Sequence, residues 1–119
     1  MGEVITDVGL NQLAKLFCGE DNNFFAYIAL GIGTSEPDPS DTALEHEILR
    51  KQADVTVEGN KVTFKIVVNP GELNANVTEI GLFNAESGGE MYYRKVSPQG
   101  IYFDENTGAS IYIECEFSR

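Results

Sequence analysis

The chemistry that this sequence could perform rests on very few reactive side chains. His46 is the only histidine, and the two cysteines, Cys18 and Cys115, lie far apart in the chain. A Cys-His or Ser-His-Asp site would need His46 as its base, and no motif around His46 supplies a nucleophile. Because His46 lies between two glutamates, we expect a solvated surface side chain, and we predict no catalytic residue.

Metal binding is limited by the same scarcity. A structural zinc site usually takes four Cys or His ligands, and the chain has two cysteines and one histidine. Calcium prefers carboxylate and amide oxygens, which are frequent in the loops 20–23, 38–41 and 104–106, although none matches the EF-hand pattern. The sequence therefore predicts no metal and no cofactor, with a structural calcium ion as the alternative.

Two glycines, Gly31 and Gly33, could suggest a phosphate-binding loop. The dinucleotide fingerprint requires a third glycine at position 36, where this chain has Glu36, and the Walker lysine is also missing. A strand that ends before a turn explains both glycines, so we predict no nucleotide site.

Carbohydrate chemistry is a further possibility. A glycosidase needs two carboxylates at a defined separation, and the sequence singles out no such pair. The aromatic residues near 92–103 could form a platform on which sugars stack, and they are Tyr92, Tyr93, Tyr102 and Phe103. A carbohydrate-binding module is therefore an alternative function.

Composition restricts the class of protein. Asp and Glu number 19 against 8 Lys and Arg, which gives a net charge of −11 and disfavours binding to nucleic acid or to anionic membranes. With 119 residues and 42% hydrophobic residues, the chain predicts one globular domain over 1–119. The sequence shows no apolar run of about 18 residues and no secretory leader, so we expect synthesis in the cytoplasm.

The N-terminal segment predicts a helix of about 12 residues. Thr6 or Asp7 can cap its start, and Gly19 suits a left-handed cap at its end. Four apolar residues recur at helical spacing on one face, namely Leu10, Leu13, Ala14 and Phe17. A helix this short is marginal alone, so we expect it to pack against something.

The rest of the chain predicts strands. Alternating or continuous apolar runs indicate six of them, near 24–30, 53–57, 62–68, 77–83, 91–96 and 111–117. Gly59 and Asn60 predict a two-residue hairpin. Thr42 and Glu45 match a capping box, which favours a short helical turn to about Arg50, and 98–108 is predicted as a long loop.

This pattern predicts a mainly β fold. Clean alternation favours antiparallel sheet with one face buried. We expect an antiparallel β-sandwich or curved sheet of about six strands, with one N-terminal helix that closes an end. Cys115 lies in an inward row, which favours a buried reduced thiol, and a Cys18–Cys115 disulfide stays open.

Three segments, in order, resemble small structural proteins of tailed phages, of the type related to tail fibres and tail collars. The first is ITDVGLN at 5–11. The second is ALGIGT at 29–34, followed by SDTAL at 40–44 and EI at 47–48. The third is TEIGLFN at 78–84, followed by GGEM at 88–91. The similarity runs from about residue 4 to 96, and the stretch 99–108 departs from it by being longer and more acidic.

The resemblance implies a virion component with no catalytic residues to carry over. It implies that Gly31, Gly33 and Thr42 determine the fold, as strand ends and a turn cap. It also implies a homo-oligomer of trimeric or hexameric symmetry whose partners are copies of itself and neighbouring virion proteins in a tail fibre, collar or baseplate. A capsid decoration protein is the alternative within the virion.

Overall fold

The computed structural model describes residues 2–119 as a mainly β fold with one α-helix. The strands and the helix follow the chain in the order β1 (Gly2–Ile5), α1 (Asp7–Cys18), β2 (Tyr27–Gly31), β3 (Glu47–Gln52), β4 (Asp54–Glu58), β5 (Lys61–Val68), β6 (Ala75–Phe83), β7 (Met91–Phe103) and β8 (Ala109–Glu116). Among residues 2–119, no helix is both long and apolar enough to cross a membrane.

The strands form two antiparallel sheets, which confirms the predicted fold class. One sheet has five strands in the order β1-β7-β6-β2-β3, and the other has three in the order β4-β5-β8. Their inner faces share a hydrophobic core, to which the five-stranded sheet contributes Ile28, Leu30 and Leu82 and the three-stranded sheet contributes Phe64 and Ile113. The arrangement is therefore that of a β-sandwich.

The outer face of the five-stranded sheet is also covered. Ala29 alternates with the two inward side chains of β2, and it packs in a smaller cluster with Leu44, Phe83 and Met91. Leu44 belongs to the loop 32–46, which connects β2 to β3 and crosses this face. The sheet is thus buried on both faces, which explains why β2 is a continuous apolar run.

The helix begins and ends where the sequence predicts, but it packs through a different face. The Thr6 hydroxyl accepts a hydrogen bond from the Gly9 N–H at 2.9 Å, and Gly19 adopts a left-handed φ of 80°. The residues buried along α1 are Gly9 and Gln12. Of the predicted apolar face, Leu10, Ala14 and Phe17 are exposed and Leu13 is half-buried.

Eight strands form where about six were predicted, and the two extra strands are β1 and β3. The helical turn predicted over 42–50 is wrong, because β3 takes residues 47–52 and pairs with the otherwise free edge of β2. Backbone pairing with β2 provides more hydrogen bonds than a single helical turn would, so tertiary context overrides the local capping pattern.

The long loop predicted over 98–108 is also wrong in extent. Strand β7 continues to Phe103, and Ala75, Asn76 and Val77 pair with Phe103, Tyr102 and Ile101. Val77 pairs with Ile101 and Glu79 with Val96, so two steps along β6 match five along β7. Residues 97–100 of β7 lie opposite the single residue Thr78 of β6 and form a bulge. The bulge contains Pro98, whose missing backbone N–H is tolerated at such a position.

Candidate functional site

Glu79 of β6 and Arg94 of β7 form a buried ion pair. Glu79 is 0% exposed and Arg94 is 1% exposed. Arg94 Nε donates to Glu79 Oε1 at 3.0 Å, and Arg94 Nη1 donates to Asp41 Oδ2 at 3.1 Å. Arg94 Nη2 also donates to the Ser35 hydroxyl at 3.3 Å. Since a buried ion is costly unless it is fully paired, each of these contacts is needed for the cluster to be stable.

Backbone amides of the loop 32–46 complete the hydrogen bonds of Glu79. Its Oε2 accepts from the Gly33 N–H at 2.9 Å and from the His46 N–H at 2.7 Å. Its Oε1 accepts from the Glu45 N–H at 2.9 Å in addition to Arg94. A carboxylate offers about four lone-pair sites, so the acceptor capacity of Glu79 is used up. This carboxylate fixes the loop on the sheet.

Hydrogen bonds in this region join the segments 5–11, 29–48 and 78–91 to neighbouring parts of the chain. The Thr6 N–H donates to the Tyr92 carbonyl at 3.0 Å, and the Thr6 hydroxyl donates to the Met91 carbonyl. The Asp7 N–H donates to the Pro39 carbonyl at 2.8 Å. The Thr78 hydroxyl donates to the Gly33 carbonyl at 2.7 Å. The first segment is therefore bonded to Met91 of the third and to the loop 32–46, and the third is bonded to Gly33 of the second.

The glycines of these segments stand where the backbone approaches another group closely. A Cβ at Gly31 would lie 2.5 Å from both the Glu79 carboxylate and the His46 carbonyl. A Cβ at Gly33 would lie 2.5 Å from the Glu45 Cβ, and one at Gly9 would lie 2.4 Å from the Tyr92 Cα. All four distances are below normal contact, so Gly31 and Gly33 allow the close packing of the loop.

The end of the third segment forms the turn between β6 and β7. The Asn84 side chain donates to the Glu90 carboxylate at 2.8 Å and accepts from the Glu90 N–H at 2.8 Å. The Arg50 guanidinium lies 3.7 Å above the Phe83 ring and donates to the carbonyls of Ala85 and Gly88 at 2.9 and 2.8 Å. These contacts hold the turn against β3.

The predicted capping pair has a different role. Thr42 lies in the irregular part of the loop 32–46 and caps no helix. The Glu45 carboxylate instead accepts from the N–H groups of Thr34 and Ser35, at 2.9 and 3.0 Å. These bonds, above all the one from Ser35, lower the pKa of Glu45 because they favour its charged form. His46 is exposed, as predicted.

Both cysteines are free in the structure. Cys18 is exposed at the end of α1, and Cys115 is half-buried beside the core. Burial raises the pKa of the Cys115 thiol, which disfavours the reactive thiolate.

The acidic loops bind their own backbone. The Asp21 carboxylate accepts from Gln12 Nε2 and from the Asn22 and Asn23 N–H groups, and these contacts lower its pKa. The pKa of Asp38 is lowered in the same way by the hydroxyl and N–H of Ser40. Among residues 2–119, no three His, Cys, Asp or Glu side chains come together in an arrangement that could hold a metal ion.

The aromatic residues considered for sugar stacking do not share a surface. Tyr92 and Phe103 are buried in the core. The Tyr93 hydroxyl donates to the Glu3 carboxylate, and burial raises the pKa of Tyr93. Tyr102 keeps an exposed ring on the far part of β7. The predicted platform is therefore wrong for Tyr92 and Phe103.

A continuous apolar surface is the main feature left available for binding. We call it the apolar face, and its exposed members are Leu10, Phe17, Phe24, Val55, Val57 and Phe117. Two adjoining hollows lie within it. One is lined by Leu10, Ala14 and Phe17, the other by Phe24 and Val55, and Leu13, Leu16 and Phe117 line both. Sequence reasoning identified the helical part of this surface but predicted that it would be buried.

Sequence reasoning also missed the pairing of Glu79 with Arg94. The available signal was the presence of charged residues within two mainly apolar strands, in VTEIGLF and in MYYRKV. Comparison with known proteins adds no identification, since neither a protein-family model nor a curated protein sequence matches the chain.

Proposed function

We propose that this chain is a non-enzymatic structural component of a phage-like virion. Its place would be in the tail, as part of a fibre, collar or baseplate, and it would act by symmetric protein–protein assembly. One observation carries the proposal. Of the three segments that resemble tail proteins, the second and third are bonded to each other through Gly33, Thr78 and Glu79, and the first is bonded to the third through the Thr6 hydroxyl and the Met91 carbonyl. The resemblance therefore involves one connected structural unit rather than scattered matches.

The way in which charge is used supports a structural role. Glu79 and Arg94 are closed to solvent and fully paired within the fold. The half-buried Asp21 carboxylate and the exposed Asp38 carboxylate bind backbone N–H groups of their own turns. The net charge of −11 keeps such a domain soluble until it is incorporated into an assembly.

Electron microscopy of particles from the source culture tests the proposal. The chain would be located in the map and its copies counted. Copies numbering in the tens along the tail axis, with three- or six-fold symmetry, are the expected result. Hundreds of copies on the head shell would instead identify a capsid decoration protein, and absence from every particle would reject the virion role altogether.

A glycan-binding assay follows if the chain is absent from particles. Tyr102→Ala is the informative variant, because this ring is exposed whereas Tyr92 and Phe103 are buried. Glycan binding that this variant abolishes without loss of folding would support a carbohydrate-binding module in place of a virion component.

A further inference from the structure

Most of the apolar side chains of α1 that the sequence pattern predicts to be buried are exposed to solvent. Phe17 is 92% exposed, and Leu10 and Ala14 are exposed beside it. The buried contacts of α1 run instead through Gly9, where the helix backbone lies against β7, and through Gln12. The helix is held on the fold through these residues and through the half-buried Leu13 and Leu16, while the rest of its apolar face is exposed.

This exposed surface extends beyond the helix. Phe24 follows α1 in the chain and is 67% exposed, and Phe117, after β8, is 50% exposed. On the edge strand β4, Val55 and Val57 are exposed, and they lie on the same side of the sheet as their cross-strand partners Phe64 and Val62. The residues that line the two hollows are all uncharged, although the whole chain carries a net charge of −11. The acidic groups thus lie outside these two hollows.

We infer that the apolar face is where this chain binds a second copy of itself. The inference rests on the proposed assembly function and identifies the surface that performs it. At roughly 200 Å² for a phenylalanine side chain, the three exposed phenylalanines present about 400 Å². That is about half of the ~800 Å² that each partner contributes to a standard specific interface. Leu10, Val55 and Val57 add to this area, so the face is large enough for a stable contact.

Shape favours a second copy as the occupant. Phe17 projects from the helix, and the hollow between Leu16, Phe24 and Val55 beside it has a volume of about 240 Å³. A projecting side chain and an apolar hollow that adjoin on one surface are complementary, so that Phe17 of one copy can enter the hollow of another copy. The contact is uncharged, which allows two strongly acidic copies to associate there.

The test is the mass of the purified full chain in solution, measured by sedimentation velocity at several concentrations and at low and high salt. We expect an oligomer whose dissociation constant decreases at high salt, because salt screens the repulsion between acidic copies. Phe17→Glu should weaken association at least ~30-fold, as expected when a central aromatic contact of an interface is lost. The matched control is Tyr102→Glu, which adds the same charge at an exposed aromatic residue outside the apolar face and should leave association unchanged.

Folding is verified by thermal melting of each variant at a dilution at which both chains are monomeric, where Phe17→Glu should melt close to the unmodified chain because the Phe17 side chain is almost fully exposed. A chain that stays monomeric at all concentrations and in high salt would overturn the inference, even if it is found in particles. An oligomer that Phe17→Glu leaves intact would overturn the choice of surface. An oligomer broken by Phe17→Glu, in a chain absent from particles, would support the inference and reject the virion role.

Discussion

At the scale of single residues, the protein depends on one buried carboxylate. Glu79 accepts three backbone N–H groups of the loop 32–46 and pairs with Arg94, so one side chain organises a connection of 15 residues between β2 and β3. Such clusters are stable only when every member is present, because an unpaired buried charge costs several kcal/mol.

Replacing Glu79 by Gln should therefore be strongly destabilising. The substitution leaves Arg94 buried without its main partner and places an amide N–H₂ among backbone donors. We expect the free energy of unfolding to fall by about 3–5 kcal/mol, measured by urea denaturation. The control is Glu86→Gln in the exposed β6–β7 turn, where a change within about 0.5 kcal/mol is expected. Equal effects of the two substitutions would contradict the role of Glu79.

Acid should destabilise the fold through carboxylates that bind backbone N–H groups. The pKa of Glu45 is lowered by Ser35 and Thr34, and the pKa of Glu72 is lowered by Lys51 and Asn69. A carboxylate whose pKa is lower in the folded state contributes stability above its unfolded pKa and loses that stability as pH falls through the folded value. Stability should thus begin to fall below about pH 4.5, the ordinary value for glutamate.

Thermal melting between pH 6 and pH 3 measures this effect. Glu45→Gln should reduce the decrease in melting temperature below pH 4.5, because that side chain then has no proton to gain. The exposed control Glu36→Gln should keep the pH dependence of the unmodified chain. A pH profile unchanged by Glu45→Gln would show that its contacts with Thr34 and Ser35 are not maintained in solution.

At the scale of elements, the helix shows that correct boundaries do not imply a correct face. Thr6 and Gly19 cap α1 as predicted because capping depends on local backbone geometry. The orientation of α1 depends instead on Gly9, whose missing side chain allows the helix to lie against the Tyr92 backbone. The spacing of apolar residues along a helix gives no information about such a backbone contact.

Gly9→Ala tests this contact. In an exposed helix position this substitution stabilises by about 1 kcal/mol, because alanine has the higher helix propensity. Here the added methyl group would meet the Tyr92 Cα, so we expect destabilisation of about 1–3 kcal/mol by chemical denaturation. Asn11→Ala, at an exposed position of the same helix, should be neutral or slightly stabilising. Stabilisation by Gly9→Ala would mean that α1 does not pack on β7 in this way.

At the scale of the whole molecule, the two sheets enclose a core. The reactivity of a native cysteine thiol beside that core can show whether reagents reach it. Cys115 of β8 lies beside this core, whereas Cys18 is on the surface. The pKa of Cys115 is raised by burial, so its thiolate is rare at neutral pH while the sandwich stays closed.

A thiol-reactive chromogenic disulfide should thus show two phases with the native protein. Cys18 should react fast, and Cys115 should react slowly until denaturant opens the sandwich. Cys18→Ser should remove the fast phase, and Cys115→Ser should remove the slow one. No reaction in denaturant without a reductant would indicate a Cys18–Cys115 disulfide and contradict the free thiols of the structure.

The sequence by itself determined the features that depend on local geometry and on the period of its apolar residues. The caps of α1, the hairpin at Gly59 and Asn60, and the inward rows of β5 and β8 follow from steric preferences and from the two-residue period of a strand. The mainly β class follows because such rows occupy most of the chain after the helix.

Only the tertiary structure decided which groups meet across the chain. It placed β3 on the edge of β2 where a capping box suggested a helix, and it extended β7 beyond a bulge that pairing with β6 defines. It also brought Glu79 to Arg94 and to the loop 32–46. It left the apolar side chains Leu10 and Phe17 of α1 exposed. These outcomes depend on competition among long-range contacts, and a pattern within a short window of sequence contains no information about the partners that compete.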